Sequence, residues 1–355
     1  MVQPPEPTAD TVRRLVRSLL ADGPAGGDAP GGAATARGGP VAGEADDADS
    51  AGVAGGAAGT GEAAAGGDGP EVRPARGGDG PAATWLVGPR HVLRLALDRE
   101  TAVLRRRELR LRELVRPHLP VGVPTSVAHG EWAPGLPYTL DTVLPGGTAE
   151  EHSVSAVGEA DLAALLTGLR EVPVHRAATL GVPLTAPRSL EVLRRSAEQA
   201  SGRLAETDEF DAAHRERLGR VATAQLGTPP GTAVLVHRAL SGEHLVVRAD
   251  GRVRGVLGWA DAVLGDPAED IAGLAASVGS PAAVRAATLA GYGARSCLRG
   301  LWLARCDTVV QLADALAEGP AAAPPRPRAR LRRAWEPILL ERVTEPSEGE
   351  NGDGP

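Results

Sequence analysis

The sequence predicts an α+β protein of two lobes, a small β-rich one over residues 71–146 and a larger, mostly helical one over residues 147–345. Three observations carry this expectation. Between Glu71 and Gly146, short apolar runs are broken by turn signals such as Gly88-Pro89, with one long helical pattern among them. From about residue 150 onward, apolar residues recur at helical spacing. A strand pair within 233–257, turning at Asp250-Gly251, interrupts the helical lobe. The 355 residues are enough to give such a fold a real core.

Taken in order, residues 1–21 form the first unit. Val12, Leu15, Val16, Leu19 and Leu20 follow the i, i+3, i+4, i+7, i+8 pattern of one helix face, and Thr8 or Asp10 can cap it. Residues 22–70 are Gly, Ala and acid without an aromatic. Such a stretch cannot bury enough apolar surface to offset its ordering entropy, so a disordered insert is expected there. "EVRP" at 71–74 is a short strand, and "ARGGDGPA" at 75–82 is a Gly-rich turn. "TWLVGPRHVLRL" at 84–95 reads as two strands. A helix follows and ends near Pro117; strands then return up to Gly146-Gly147. The stretch 294–317 is helical with Trp302 in its core, and residues 346–355 form a disordered tail.

Formal net charge is −7, and no long basic block stands outside the stretch near Arg326–Arg333, so nucleic acid is not an expected partner. That basic helix start is either a solvated face or a surface for an acidic partner. No run approaches the roughly 20 apolar residues of a membrane span. The first twenty residues lack a basic segment followed by an apolar stretch and a cleavage site, so the expected location is the cytoplasm. Cys297 and Cys306 make neither a disulfide scaffold nor a zinc-ligand spacing, and two buried thiols are expected. The chain has no Lys, and Asn351 is its one Asn, so every cation other than His is Arg.

Two stretches carry the chemistry. "VLVHRALSGEHLVV" at 234–247 places His237, Arg238, Glu243 and His244 between two apolar runs. "GVLGWADAVLGDPAEDIA" follows at 255–272. Together they resemble the aminoglycoside and macrolide phosphotransferase family. Its signature reads His-Gly-Asp-Leu, then Asn or His, then a strand ending Ile-Asp-Trp, then Gly-Asp-Pro-x-x-Asp-Leu. The matching frame here is His237, Leu240, His244, Trp259, Gly265-Asp266-Pro267 and Asp270-Ile271. His244, and the stretches 107–124 and 162–184, are similar to the macrolide branch. The resemblance spans roughly residues 71–345. It implies a protein-kinase-like fold, with ATP or GTP and magnesium as cofactors if the nucleotide site survives.

Phosphoryl transfer needs a phosphate clamp, carboxylates that hold magnesium, and a group that orients the attacking hydroxyl. Against the family pattern, Ala239 stands at the catalytic Asp, and Gly258 stands at a magnesium-binding Asp. Neither a methyl group nor a hydrogen can accept a proton or coordinate a hard cation. Arg238 replaces the family Gly and brings a cation to the loop. His237 is expected to support the loop architecture. His244 is a candidate metal ligand or a hydrogen-bonded loop residue. Asp261, and less so Glu243, are candidate substitutes for the lost acids. Asp266 reads as a helix-capping acid and Asp270 as structural. In the small lobe, the resemblance assigns the phosphate-binding slot to Arg94. Glu108 lies on the apolar stripe of the next helix, where a carboxylate wants a partner, so an Arg94–Glu108 pair is expected. Gly77 and Gly78 could offer backbone N–H groups to phosphates. The expectation is a family member impaired in catalysis that binds a nucleotide, a small ligand or a protein partner. The alternative is an active kinase of antibiotic or other small-molecule hydroxyls with non-standard catalytic residues.

Overall fold

The computed structural model describes residues 7–21, 70–75, 83–207, 209–210, 214, 218–219, 226, 233–317 and 325–338. The insert expected over 22–70, apart from Pro70, the tail over 346–355, and Gly77 and Gly78 lie outside these residues. The chain has the expected bilobal, protein-kinase-like α+β fold.

Helix α1 (Ala9–Ala21) opens the chain, its first turn capped by Thr8, whose hydroxyl accepts the Thr11 N–H at 3.2 Å. Five antiparallel strands follow: β1 (Val72–Pro74), β2 (Thr84–Val87), β3 (His91–Leu95), β4 (Ser126–Ala133) and β5 (Leu136–Thr142). They pair in the order β1-β2-β3-β5-β4. Alternation along each strand gives this sheet two different faces. Trp85 pairs with Leu93, Leu93 with Leu140, and Leu95 with Tyr138. This apolar face packs against Val12 and Val16 of α1. The other face carries Arg94, Thr139 and Asp141, and helix α2 (Arg99–Val115) lies over it. Asp98 and Thr101 start α2 with reciprocal hydrogen bonds, Thr101 N–H to Asp98 Oδ1 at 2.7 Å and Asp98 N–H to Thr101 Oγ1 at 3.1 Å. The polar face is therefore buried by a helix that supplies matching charges.

The second lobe contains helices α3 (Ala156–Glu171), α4 (Val174–Thr179), α5 (Leu190–Ala205), α6 (Ala268–Val278), α7 (Ser280–Leu289), α8 (Ala294–Ala317) and α9 (Pro325–Ala334). Its core includes Leu162, Leu166, Ile271, Leu301 and Trp302. Two small antiparallel sheets sit among the helices. One joins β6 (Gly147–Thr148), β8 (Leu245–Val247) and β9 (Val253–Val256), and the other pairs β7 (Val234–Val236) with β10 (Val263–Gly265). The strand pair expected within 233–257 is thus β8–β9 alone. The strand before the loop, β7, joins a different sheet, so the loop between β7 and β8 bridges two sheets. Among the described residues no helix is long and apolar enough to cross a membrane.

Candidate functional site

The small lobe brings three arginines and two carboxylates together under α2. Arg94 Nη1 lies 3.0 Å from Glu108 Oε1, and Arg105 Nη1 lies 3.0 Å from Glu108 Oε2. Glu108 is 2% exposed, whereas Arg94 and Arg105 keep 19% and 18% of their side chains open. The carboxylate thus holds two guanidinium groups that both reach solvent, and three arginines against two acids leave one surplus positive charge. Farther in, Arg112 Nη1 meets Asp141 Oδ2 at 3.0 Å, and Arg112 Nη2 meets Asp141 Oδ1 at 3.1 Å. Ser126 donates to Asp141 Oδ1 at 2.5 Å, and Thr139 donates to Asp141 Oδ2 at 3.2 Å. Burial alone would raise the Asp141 carboxyl, but Arg112, Ser126 and Arg94 hold it below the usual carboxylate range. Burial lowers Arg105 against the pull of Glu108.

Breaking such a pair strands a buried charge. Asp141→Ala is expected to cost about 3–5 kcal/mol in urea unfolding. Arg112→Met combined with Asp141→Leu is expected to cost clearly less than the sum of the two single changes, because no orphaned charge remains.

Helix α2 also reaches the second lobe. Arg107, next to Glu108, donates to the Ala260 carbonyl at 2.5 Å, two residues past Gly258. The clamp and the loop region are therefore held by one helix.

The loop after β7 is organised by Asp270 of α6. Its carboxylate accepts the His237 N–H at 2.8 Å and the Arg238 N–H at 2.7 Å. Asp270 is 2% exposed, and burial pushes its carboxyl up to about 7 against these two donors. His237 is fully buried, with its ring edge-on to Trp259 at a centroid distance of 4.6 Å. Burial, helped by the neighbouring His244 ring, pushes it down to about 3, so it is neutral near pH 7. Its Nδ1 accepts the Ala239 N–H at 3.3 Å.

Arg238 adopts φ +66°, the one positive φ outside glycine among the described residues. An Arg there costs strain that the family Gly does not carry. His244 Nδ1 lies 2.7 Å from the Ala239 carbonyl oxygen and 3.2 Å from Ser241 Oγ. Its other edge fills the space beside Gly258. A Cβ built at Gly258, where φ is +82°, would come within 2.7 Å of His244 Cδ2 and Nε2. The imidazole therefore occupies the room that a side chain at 258 would use.

The candidate substitutes fall elsewhere. Asp261 is exposed, in the 3-10 turn Trp259–Asp261. Glu243 is ion-paired with Arg326 of α9 and lies 3.9 Å from Arg330, so its carboxylate serves the C-terminal helix. Asp266 accepts the Ala268 N–H at 3.0 Å, as expected of a helix start, and also pairs with buried Arg299 at 2.6 Å. The basic face of α9, left open between solvent and a partner, docks on its own chain. Arg333 meets Glu150 at 3.2 Å, while Arg326 takes Glu243.

Magnesium prefers several oxygen ligands. At the positions the family uses, this chain offers one imidazole already bonded through Nδ1 and one glycine. That donor set does not fit the ion. Among the described residues, Arg94 and Arg105 present part-open guanidinium groups of the kind that can hold phosphates.

Sequence reasoning missed Arg105 and Arg330. Arg105 sits three residues before Glu108, and Arg330 four after Arg326; both spacings place side chains on one helix face.

A profile of the phosphotransferase enzyme family matches residues 71–301. Viomycin phosphotransferase from Streptomyces vinaceus is 38% identical over 81 residues, 22% of this chain and 28% of that protein. The chain thus matches under a third of that relative's length. The GDP complex of wild-type aminoglycoside 2'-phosphotransferase-IIIa superposes with a TM-score of 0.53 at 19% identity, covering 74% of this chain and 92% of that one. Macrolide 2'-phosphotransferase from Brachybacterium faecium gives 0.45 at 24% identity, covering 72% and 88%.

Proposed function

This chain belongs to the phosphotransferase enzyme family, and on that premise we propose that it keeps a nucleotide-holding frame while most of the transfer chemistry is lost. One observation carries this reading: the paired loss at Ala239 and Gly258 inside a loop whose supports are intact. Asp270 still holds the loop backbone, His237 still packs on Trp259, and Glu108 still presents Arg94. A positioned base is worth about 10²–10⁴ in rate, and metal coordination adds several kcal/mol of charge stabilisation. Among the described residues, the two candidate substitutes stand elsewhere: Asp261 is exposed and Glu243 is bound to α9.

The Arg94–Glu108–Arg105 cluster supports nucleotide binding without magnesium. Its surplus charge suits a polyphosphate, and the GDP-bound relative is consistent with such a ligand. A thermal-shift titration with ATP, with and without magnesium, tests the reading. ATP is expected to raise the midpoint equally with and without the metal, and Arg94→Ala is expected to abolish the rise. No shift at millimolar ATP would refute nucleotide binding. Magnesium-dependent transfer from labelled ATP to macrolides or aminoglycosides, abolished by Asp261→Ala, would establish the active-kinase alternative instead.

A further inference from the structure

A cavity of about 250 Å³ opens beside Ala239, between the loop and α6, α8 and α9. Five charged side chains line it: Arg188, Arg238, Glu269, Asp307 and Arg330. Their pairing is unequal. Arg188 takes both acids, at 2.8 and 3.0 Å to Asp307 and 2.8 Å to Glu269. Arg238 has no side-chain partner among the described residues. Arg330 lies 3.6 Å from Glu150 and 3.9 Å from Glu243, beyond hydrogen-bond distance, and its Nε is buried without a hydrogen bond. Those two acids are engaged more closely by Arg333 and Arg326. Three arginines against two acids thus leave the cavity lining one surplus positive charge.

The backbone supplies a separate observation. At φ +66°, position 238 suits glycine or asparagine, yet it holds an arginine whose exposed side chain has no hydrogen-bond or ion-pair partner among the described residues. Arg238 thus brings an open cation to the rim of the cavity.

We propose that this cavity is a site for a small oxyanion-bearing molecule, a phosphate ester or a carboxylic acid, held between Arg238 and Arg330. The same charge disfavours a polycation such as an aminoglycoside. The inference does not rest on nucleotide binding, because the Arg94 clamp is a different cluster.

The test is a thermal-shift titration of the full chain with inorganic phosphate, citrate and kanamycin, each at constant ionic strength. Phosphate or citrate is expected to raise the midpoint by about 3 °C at ten times its dissociation constant. A response to phosphate alone assigns a phosphoryl ligand, and one to citrate alone a carboxylate. Arg238→Gly and Arg238→Asn both accept positive φ, so both are expected to fold and to lose the response. Arg94→Ala is expected to retain it. No response to either oxyanion would overturn the proposal. So would a response that survives both Arg238 variants, or one that Arg94→Ala removes, or kanamycin stabilising more than the oxyanions do. ATP binding is read separately through Arg94→Ala, so the two readings fail independently.

Discussion

Asp270→Ala is expected to destabilise the fold by about 2–5 kcal/mol in urea unfolding, since each buried unsatisfied donor costs about 1–3 kcal/mol. The carboxylate accepts the buried His237 N–H and the half-buried Arg238 N–H, and alanine leaves both without this acceptor. Asp270→Asn is expected to fall between, because one amide oxygen replaces two carboxylate oxygens and its NH₂ faces a donor. Asp261→Ala, in an exposed turn, is the control and is expected to stay within about 0.5 kcal/mol. The pH dependence adds a second readout. Folded Asp270 titrates at about 7 rather than 3.8, so the folded state holds the extra proton between those values. Its contribution is therefore greatest below about pH 4 and declines as pH rises toward 7. His237 runs the other way. Folded, it titrates at about 3 rather than 6.5, so its contribution is present above pH 6.5 and lost as pH falls toward 3. The two largely offset across the shared window. Removing Asp270 exposes the His237 slope, so the variant is expected to lose stability on acidification from pH 6.5, and the substitution costs more at pH 4.5 than at pH 7. A variant as stable as the parent at pH 4.5 would show that Asp270 does not hold the loop.

Ala239→Asp together with Gly258→Asp is expected to raise magnesium-dependent ADP release from ATP by at least about 10² over the parent chain. The substitutions return an acid to the loop and an oxygen ligand beside it. The structure attaches a condition to the second change. A side chain at 258 meets His244 at 2.7 Å, so the imidazole must give up its place against the Ala239 carbonyl. The backbone there is left-handed, which aspartate tolerates better than most residues. Gly258→Asp alone is therefore expected to cost about 1–3 kcal/mol and to yield little activity. A double variant that folds, binds ATP and releases no more ADP than the parent would remove Ala239 and Gly258 as the cause of the deficit.

Much of the fold was legible because the patterns are local. Alternation in 84–95 separates Leu93 and Leu95 from Arg94, and the structure gives the former to α1 and the latter to α2. The face of residues 12–16 needs only the 3.6-residue repeat to be read as amphipathic. The Arg94–Glu108 contact was readable because a carboxylate on an apolar stripe wants a cation and the preceding strand carries one. That positions 239 and 258 carry no acid was readable as plain residue identity.

What the sequence withheld were relations across distance and across burial. Asp270 lies 33 residues from His237, and no periodicity says that its carboxylate turns back onto the loop. That His244 fills the room at Gly258 depends on how β8 and the turn after β9 approach each other. The basic run of α9 leaves both solvent and a partner open as sequence, because a stripe of arginines has the same charge whatever faces it. The tertiary fold decided it by setting Glu150 and Glu243 opposite. Residue types and their spacing thus determined which chemistry this chain can lack and which elements it forms. Only packing decided which charges are already neutralised, because Coulomb pairing at a few ångströms depends on distances that the order of residues does not contain.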